Sequence, residues 1–311
     1  MALMRSALLW ASRNRWIAQR FPRYGFAQAA VRRFMPGTTP EAALDATRTF
    51  EPTRISTVLT RLGENLTELR AADAVYEHYA RLIEMISDRA ARAQISVKLT
   101  QLGLDISESA ALDHVRNLAR LAEPHGNVVW IDMEDSSYVD RTLDLFHAAL
   151  DDHRNIGLCL QSYLFRSEKD LERILERTSA VRLVKGAYNE PPEVAWPDRK
   201  DVDENYFQLG RMMLASTKST PPGPPPAFGT HDPVLVRRLA EAAAAEGISK
   251  EVFEIQMLYG IQSAEQLRLA RDGHRVRVLI SYGEDWFPWY VRRLAERPAN
   301  VWFVVKNMFS R

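Results

Sequence analysis

The sequence predicts a (βα)8 barrel, of the TIM-like α/β class, preceded by a basic helical segment. Eight short β-rich runs stand at fairly regular intervals between residues 55 and 282, and a helical stretch follows each of them. Several of the runs are apolar nearly throughout, as strands buried on both faces of a parallel sheet are. Alternation of this kind over about 240 residues matches an eight-fold barrel. A doubly wound open sheet is the runner-up. No Gly-x-Gly-x-x-Gly follows any run, and glycine makes up only 14 of 311 residues, so its dinucleotide fingerprint is absent.

The first run, 55–62 (ISTVLTRL), leads into 66–92, a stretch rich in Leu, Ala, Glu and Arg. The second, 95–100 (ISVKLT), leads into 108–122, where Ala111, Val115, Leu118 and Leu121 fall on one helical face. Runs 128–134 (VVWIDME) and 156–162 (IGLCLQS) precede helical stretches 137–150 and 167–177. Run 181–187 (VRLVKGA) is followed by a long loop, 189–200, and then a helix over 203–216. A stiff loop containing Pro221, Pro222, Pro224, Pro225 and Pro226 runs into 226–231 (PAFGTH). Asp232 then caps a helix over 233–246 with Pro233 at its first position. Runs 252–258 (VFEIQML) and 275–282 (RVRVLISY) precede helices over 263–271 and 285–297.

The overall balance is that of an ordinary globular chain: 46% hydrophobic, 26% charged, and a net charge of +1. That excludes a disordered tail and a nucleic-acid binder driven by bulk charge. The single cysteine, Cys159, excludes an internal disulfide, a cysteine-based zinc site and a cysteine-ligated iron–sulfur cluster, and suits a reducing compartment. No apolar run reaches the eighteen or so residues of a membrane-spanning helix. Charge is unevenly placed, however. Residues 1–40 carry seven arginines and no acid, with Leu8, Leu9, Trp10, Trp16 and Ile17 among them. Three readings fit this start: a mitochondrial transit peptide, an amphipathic segment touching an anionic membrane surface, or a helical layer packed on the main domain. The chain divides accordingly into a basic helical segment, 1–45, and a catalytic barrel, 46–311.

In such a barrel the carboxyl ends of the strands carry binding and catalysis. Those ends hold Lys98; Asp132 with Glu134 and Asp135; Gln161; Arg182 with Lys185; Thr230 and His231; Gln256; and Tyr282. A barrel serving only as scaffold needs no such rim. Each residue also has a plainer role. Lys98 either snorkels to the rim or serves as an amine or charge partner. Asp132 either accepts structural hydrogen bonds or acts on substrate. His231 has no second His or Cys at metal-ligand spacing, so no metal is expected. Arg182, inside a buried strand, requires an anionic partner, either a cofactor or a carboxylate. In the last helix Trp289, Arg292, Arg293 and Glu296 recur at three- and four-residue spacing. Two neighbouring arginines point about 100° apart and grip a carboxylate from two directions. The alternative is a solvated face in which Arg292 pairs with Glu296.

Seven ordered blocks together resemble proline dehydrogenase in its short, single-function bacterial form. They are ISVKLTQLG (95–103), WIDMED (130–135), LQSYL (160–164), VRLVKGAY (181–188), GTHD (229–232), FEIQMLYG (253–260) and YVRRLAE (290–296), and the resemblance runs from about residue 30 to the C-terminus. It implies a distorted (βα)8 barrel with its final helix over the mouth. It implies non-covalent FAD, oxidation of L-proline to 1-pyrroline-5-carboxylate and transfer of electrons to a membrane quinone. By the same resemblance Arg292 and Arg293 would hold the proline carboxylate, with Lys98 and Glu296 in an ionic ring around it. Asp132 and Tyr282 would line the proline ring, with Asp132 the best carboxylate for any base role. Gln161, Arg182, Lys185, Gly186, Ala187, Thr230, His231, Gln256 and Leu258 would contact FAD. Met133 would approach the isoalloxazine, and Arg182 would favour its reduced, anionic form.

One departure is Trp289, where the family usually has a tyrosine. It keeps an aromatic wall and loses a hydroxyl, which bears on discrimination against hydroxyproline. The implied location is the bacterial cytoplasm, peripherally against the inner membrane through the basic N-terminus, with a mitochondrial matrix as the alternative. Two rivals predict different behaviour. A Schiff-base aldolase using Lys98 or Lys185 predicts a colourless protein trapped by borohydride with a carbonyl substrate. A non-catalytic membrane-surface protein predicts no cofactor at all and leaves the polar strand ends without a purpose.

Overall fold

The structure, a computed structural model, describes residues 31, 33–63, 66–219 and 223–287. All eight expected strands are present: β1 (Ser56–Arg61), β2 (Ala93–Lys98), β3 (Val129–Asp132), β4 (Ile156–Gln161), β5 (Val181–Val184), β6 (Ala227–Gly229), β7 (Glu254–Leu258) and β8 (Arg275–Tyr282). Each pairs in parallel with the next, and β8 closes on β1 with Ser56 opposite Arg277. The (βα)8 expectation is borne out. Around the strands run α1 (Pro40–Arg48), α2 (Leu69–Asp88), α3 (Glu108–Ala122), α4 (Val139–Leu150), α5 (Ser167–Leu175), α6 (Arg199–Ser216), α7 (Pro233–Ala245) and α8 (Ser263–Arg271). The helix expected over 285–297 begins at Trp286 and Phe287 and otherwise lies outside the described residues.

Strand alternation sorts the side chains into two environments. Leu59, Val97, Ile131, Leu160, Leu183 and Ile255 face the helices and belong to one large apolar core with Leu82, Leu118, Phe146 and Leu239. This packing of helix stripes on the outer barrel wall supplies most of the burial. The inward side chains are different. Val58, Val128, Trp130 and Ala227, with Leu279, make a small apolar plug. Above and below it the buried inward positions are polar, among them Ser96, Gln161, Arg182, Glu254, Gln256 and Arg277. At the floor Arg277 grips Glu254 with Nε and Nη2, both at 2.8 Å, and donates through Nη1 to the Thr57 carbonyl at 2.9 Å.

Several boundaries differ from the periodicity, for physical reasons. β2 ends at Lys98, because the carbonyls of Lys98 and Leu99 turn to accept from Gln101 and Leu102. α6 starts at Arg199, four residues before the expected position, because Val202 is the one apolar residue of its first turn and gives no periodic signal. α7 starts as read: the Asp232 carboxylate accepts from the Val234 N–H at 3.0 Å, with Pro233 at the first helical position. α1 runs across the boundary drawn at residue 45, and its Ala43, Leu44, Ala46 and Thr47 are buried. Ahead of it Val31, Phe34 and Met35 are buried too. Gly260, at φ +71°, abuts the Arg33 carbonyl where no Cβ fits. The described part of the N-terminal segment is thus packed on the barrel. Among the described residues no helix is long and apolar enough to cross a membrane.

Candidate active site

The polar strand ends converge inside the barrel, and Asp132 is their centre. On β2, Ser96 and Lys98 share the inward face. Ser96 Oγ donates to Asp132 Oδ1 at 2.9 Å, and Lys98 Nζ donates to Oδ2 at 3.3 Å. From β5 the guanidinium of Arg182 donates to the same Oδ1 and, at 2.8 Å, to Ser96 Oγ. Its other nitrogen donates to Gln256 Oε1 on β7 at 3.3 Å. Arg182 is only 3% exposed. Its required anion is therefore found: a carboxylate of the protein itself.

Burial alone would push the Asp132 carboxyl up. Lys98, Arg182 and the Ser96 hydroxyl outweigh it and hold the group below the usual carboxylate range. Asp132 is accordingly ionised at neutral pH with both oxygens engaged. Lys98 and Arg182 thus set two cations against the Asp132 carboxylate in the barrel's upper half.

Gln161, at the end of β4, is 2% exposed. Its Nε2 donates to the Glu134 carbonyl at 3.0 Å, while its Oε1 has no hydrogen-bond partner among the described residues. A buried acceptor without a donor is costly and suits a site that awaits a ligand N–H. Glu134 is locked elsewhere, accepting from the Thr100 N–H at 3.1 Å and its hydroxyl at 2.8 Å. Cys159, beside Arg182, is buried with its thiol pKa pushed up by that burial, and behaves as a core residue.

Other expected residues lie around this centre, some in different roles. Lys185 faces outward and is bracketed by Asp203 and by Asp232, the latter at 3.1 Å. His231 Nε2 accepts from the Leu258 N–H at 3.2 Å, tying the ends of β6 and β7 together. Thr230 Oγ1 accepts from the Asp232 N–H at 3.1 Å. Gly186, at φ +121°, has a structural reason to be glycine: a Cβ there would lie 2.4 Å from the Tyr163 ring. Ala187 beside it is exposed. Met133 has the outward parity of Ile131 and is packed in the large core at 5% exposure, away from the inward file.

Tyr282 points away from this centre. Alternation along β8 turns Leu279 and Ser281 inward and Tyr282 outward, and its hydroxyl meets His78 Nε2 on α2 at 2.7 Å. Trp289, Arg292, Arg293 and Glu296 lie outside the described residues. Sequence reading missed Ser96. Ser96 is two residues before Lys98 on the same strand, so the two-residue period was the available signal.

The His78–Tyr282 pair has a measurable consequence. Burial, then Arg61 and Arg81, lower the His78 pKa from 6.5 to about 4. The unfolded chain therefore binds the extra proton first, and the stability from a neutral His78 is complete above pH 6.5 and declines as pH falls toward 4. Urea unfolding of His78→Gln at neutral and acid pH should show a shallower acid decline than the unaltered chain. Identical pH dependence would contradict a neutral His78.

The proline dehydrogenase family model matches residues 43–306. The chain belongs to the proline dehydrogenase family. Proline dehydrogenase 1 of Bacillus subtilis strain 168 is 34% identical over 309 residues, covering 99% of this chain and all of that protein. Proline dehydrogenase of Deinococcus radiodurans is 35% identical over 283 residues, covering 89% of each. Among solved structures, proline utilization A of Bdellovibrio bacteriovorus inactivated by N-propargylglycine superposes with a TM-score of 0.80 at 24% identity, over 94% of this chain. A proline utilization A variant from Bradyrhizobium japonicum gives 0.73 at 27% identity, over 90%. This chain spans only about a third of those two larger proteins, 36% and 32%. The first supports the barrel fold alone. As a proline dehydrogenase the chain is an oxidoreductase that converts proline to 1-pyrroline-5-carboxylate.

Proposed function

We propose that this proline dehydrogenase uses FAD, held non-covalently at the carboxyl ends of the strands, and passes electrons to a membrane quinone. The observation that carries the reading is a buried guanidinium, Arg182, together with an acceptor, Gln161 Oε1, that has no hydrogen-bond partner among the described residues. Both sit on the inward wall of the barrel, and both suit an electron-rich ring system bearing N–H groups. The polar ends of β5, β6 and β7 fit the same cofactor: Arg182, Lys185, the backbone at Gly186 and Ala187, Thr230, His231, Gln256 and Leu258 would hold it. Met133 contributes its backbone and its packing in this reading.

The chemistry FAD supplies when bound is acceptance of a hydride from the substrate carbon next to nitrogen. The protein's part is positioning and charge. Lys98 and Arg182 present positive charge where the anionic substrate and the developing negative charge must lie. Asp132 is the fixed anion that sets their places. A carboxylate held below its usual range is a weak proton acceptor, so the amine proton leaves to water and not to Asp132. Arg292 and Arg293 would clamp the proline carboxylate, with Glu296 completing the ring and Trp289 forming a wall.

FAD titration into flavin-free protein tests this. Gln161→Leu should weaken FAD binding about tenfold, the worth of one buried hydrogen bond. Unchanged affinity would contradict the role of Gln161, and no FAD uptake by the unaltered chain would overturn the cofactor.

The basic start of the chain suits peripheral contact with the anionic inner face of a bacterial membrane, and the sequence relatives are bacterial. In this reading residues 1–45 form the arm and 46–311 the catalytic barrel, with α1 joining them. Deleting residues 1–30 should spare proline-dependent reduction of a soluble dye and depress quinone-linked turnover on anionic vesicles. Equal turnover on vesicles would remove the membrane role.

A further inference from the structure

Against Arg182 in the barrel interior lies a large ring, the indole of Trp130, only 1% exposed. Three contacts fix it. Its Nε1–H donates to Gln94 Oε1 on β2 at 2.8 Å. Its six-membered edge lies over Gly157 on β4, where an added Cβ would stand 2.5 Å from Cε3 and 2.6 Å from Cζ3. Its face carries Arg182, whose Cζ is 5.1 Å from the ring centroid. Val58, Val128, Ala227 and Leu279 fill the space around it. A tryptophan is thus matched to a glycine on the next strand and latched at its one polar atom.

Arg182 donates through Nη2 to Asp132 and Ser96 and through Nη1 to Gln256. Those bonds leave the guanidinium able to tilt. A π face against it removes that freedom, and away from water the cation–π attraction is at its strongest. We propose that Trp130 is a positioning residue that fixes the plane of Arg182, and through it the charge that Arg182 presents to the flavin. The part concerning the flavin rests on the cofactor reading above; the part concerning Arg182 does not.

The test has two arms, on the full chain as purified and after FAD loading. In the first, urea unfolding of Trp130→Leu, Arg182→Met and the double variant forms a cycle. The two substitutions should be non-additive by about tenfold in the unfolding constant, and Trp130→Phe, which keeps a π face, should retain most of that coupling. In the second, Trp130→Leu should shift the flavin midpoint potential downward by about 30 mV, a tenfold change for a two-electron couple. Trp130→Phe should shift it by less than half as much. Neither should shift it further once Arg182 is methionine. A residue that merely fills space would lower stability and leave the potential where it was.

An additive cycle, or an equal potential shift with Arg182 absent, would overturn the proposal. If Trp130→Leu does not fold, Gln94→Leu serves. Gln94 lines a cavity of about 420 Å³ at the barrel floor, so leucine has room there. Freeing the indole N–H should move the potential in the same direction, and no movement would overturn the proposal. If no flavin binds, the cofactor reading fails and the unfolding cycle alone decides the role of Trp130.

Discussion

Arg182→Met is expected to lower kcat/KM for L-proline by about 10²–10³-fold, the usual loss when one preorganised charge is taken from a site. Methionine retains the volume over Trp130 and gives up the charge. Asp132 would keep Ser96 at 2.9 Å and Lys98 at 3.3 Å, so the carboxylate stays partnered. The site would lose one of the two cations that meet Asp132. Because that charge would act on the negative charge that a bound flavin gains with the hydride, the fall should appear mainly in kcat. The Asp132 carboxyl would also move up toward its ordinary range, having lost one of its two cations. Steady-state kinetics with a soluble acceptor checks this. An unchanged kcat with only a raised KM would mean that Arg182 serves binding alone.

Glu254→Gln is expected to cost about 3–5 kcal/mol of stability, the toll of breaking a buried ion pair from one side. Arg277 would be left inside the barrel, 6% exposed, without its counter-charge. Arg275, which reaches the same carboxylate at 3.2 Å from a more exposed position, would lose its partner too. A loss of this size is a large part of the stability of an ordinary domain.

The sign of the pH dependence follows from the same geometry. Burial pushes the Glu254 carboxyl up, but Arg277, Arg275 and Gln256 outweigh it and hold it below the usual range. The pair's contribution is thus complete above the unfolded carboxyl value of about 4.3 and is lost as pH falls through the folded value. Urea unfolding between neutral and acid pH should show the Glu254→Gln variant both weaker and less acid-sensitive. A variant as stable as the unaltered chain would show that the ion pair contributes nothing.

How far the sequence was legible follows from what kind of signal each feature leaves. The strands were legible because parallel strands buried on both sides are apolar runs, as in IGLCLQS and VFEIQML. Asp232 and Pro233 announced α7 through local capping chemistry. The start of α6 was not legible, since residues 199–203 hold one apolar residue, Val202, among four charged ones, and Asp203 turns to Lys185. At the site, Lys98, Asp132, Gln161, Arg182 and Gln256 were legible as polar breaks at strand ends.

Their mutual geometry was not, because closure of β8 on β1 and the stagger of the strands decide which ends meet. Arg182 needed an anion on sequence grounds, yet nothing local says that the anion is Asp132, fifty residues away. The direction of the Tyr282 side chain was hidden for a related reason. A strand-end residue points into the barrel or away from it by parity, and one residue's difference sends its hydroxyl to His78. Trp130 was read only as part of a strand, and its pairing with Gly157 is visible only across two neighbouring strands.

The most direct test of the central claim is the visible spectrum of the purified, FAD-loaded protein before and after anaerobic addition of L-proline. A flavin band that bleaches with L-proline, and bleaches far more slowly in Arg182→Met, is the predicted result. A band untouched by L-proline, or a protein that takes up no flavin, would contradict the assignment of this barrel's polar interior to flavin-dependent proline oxidation.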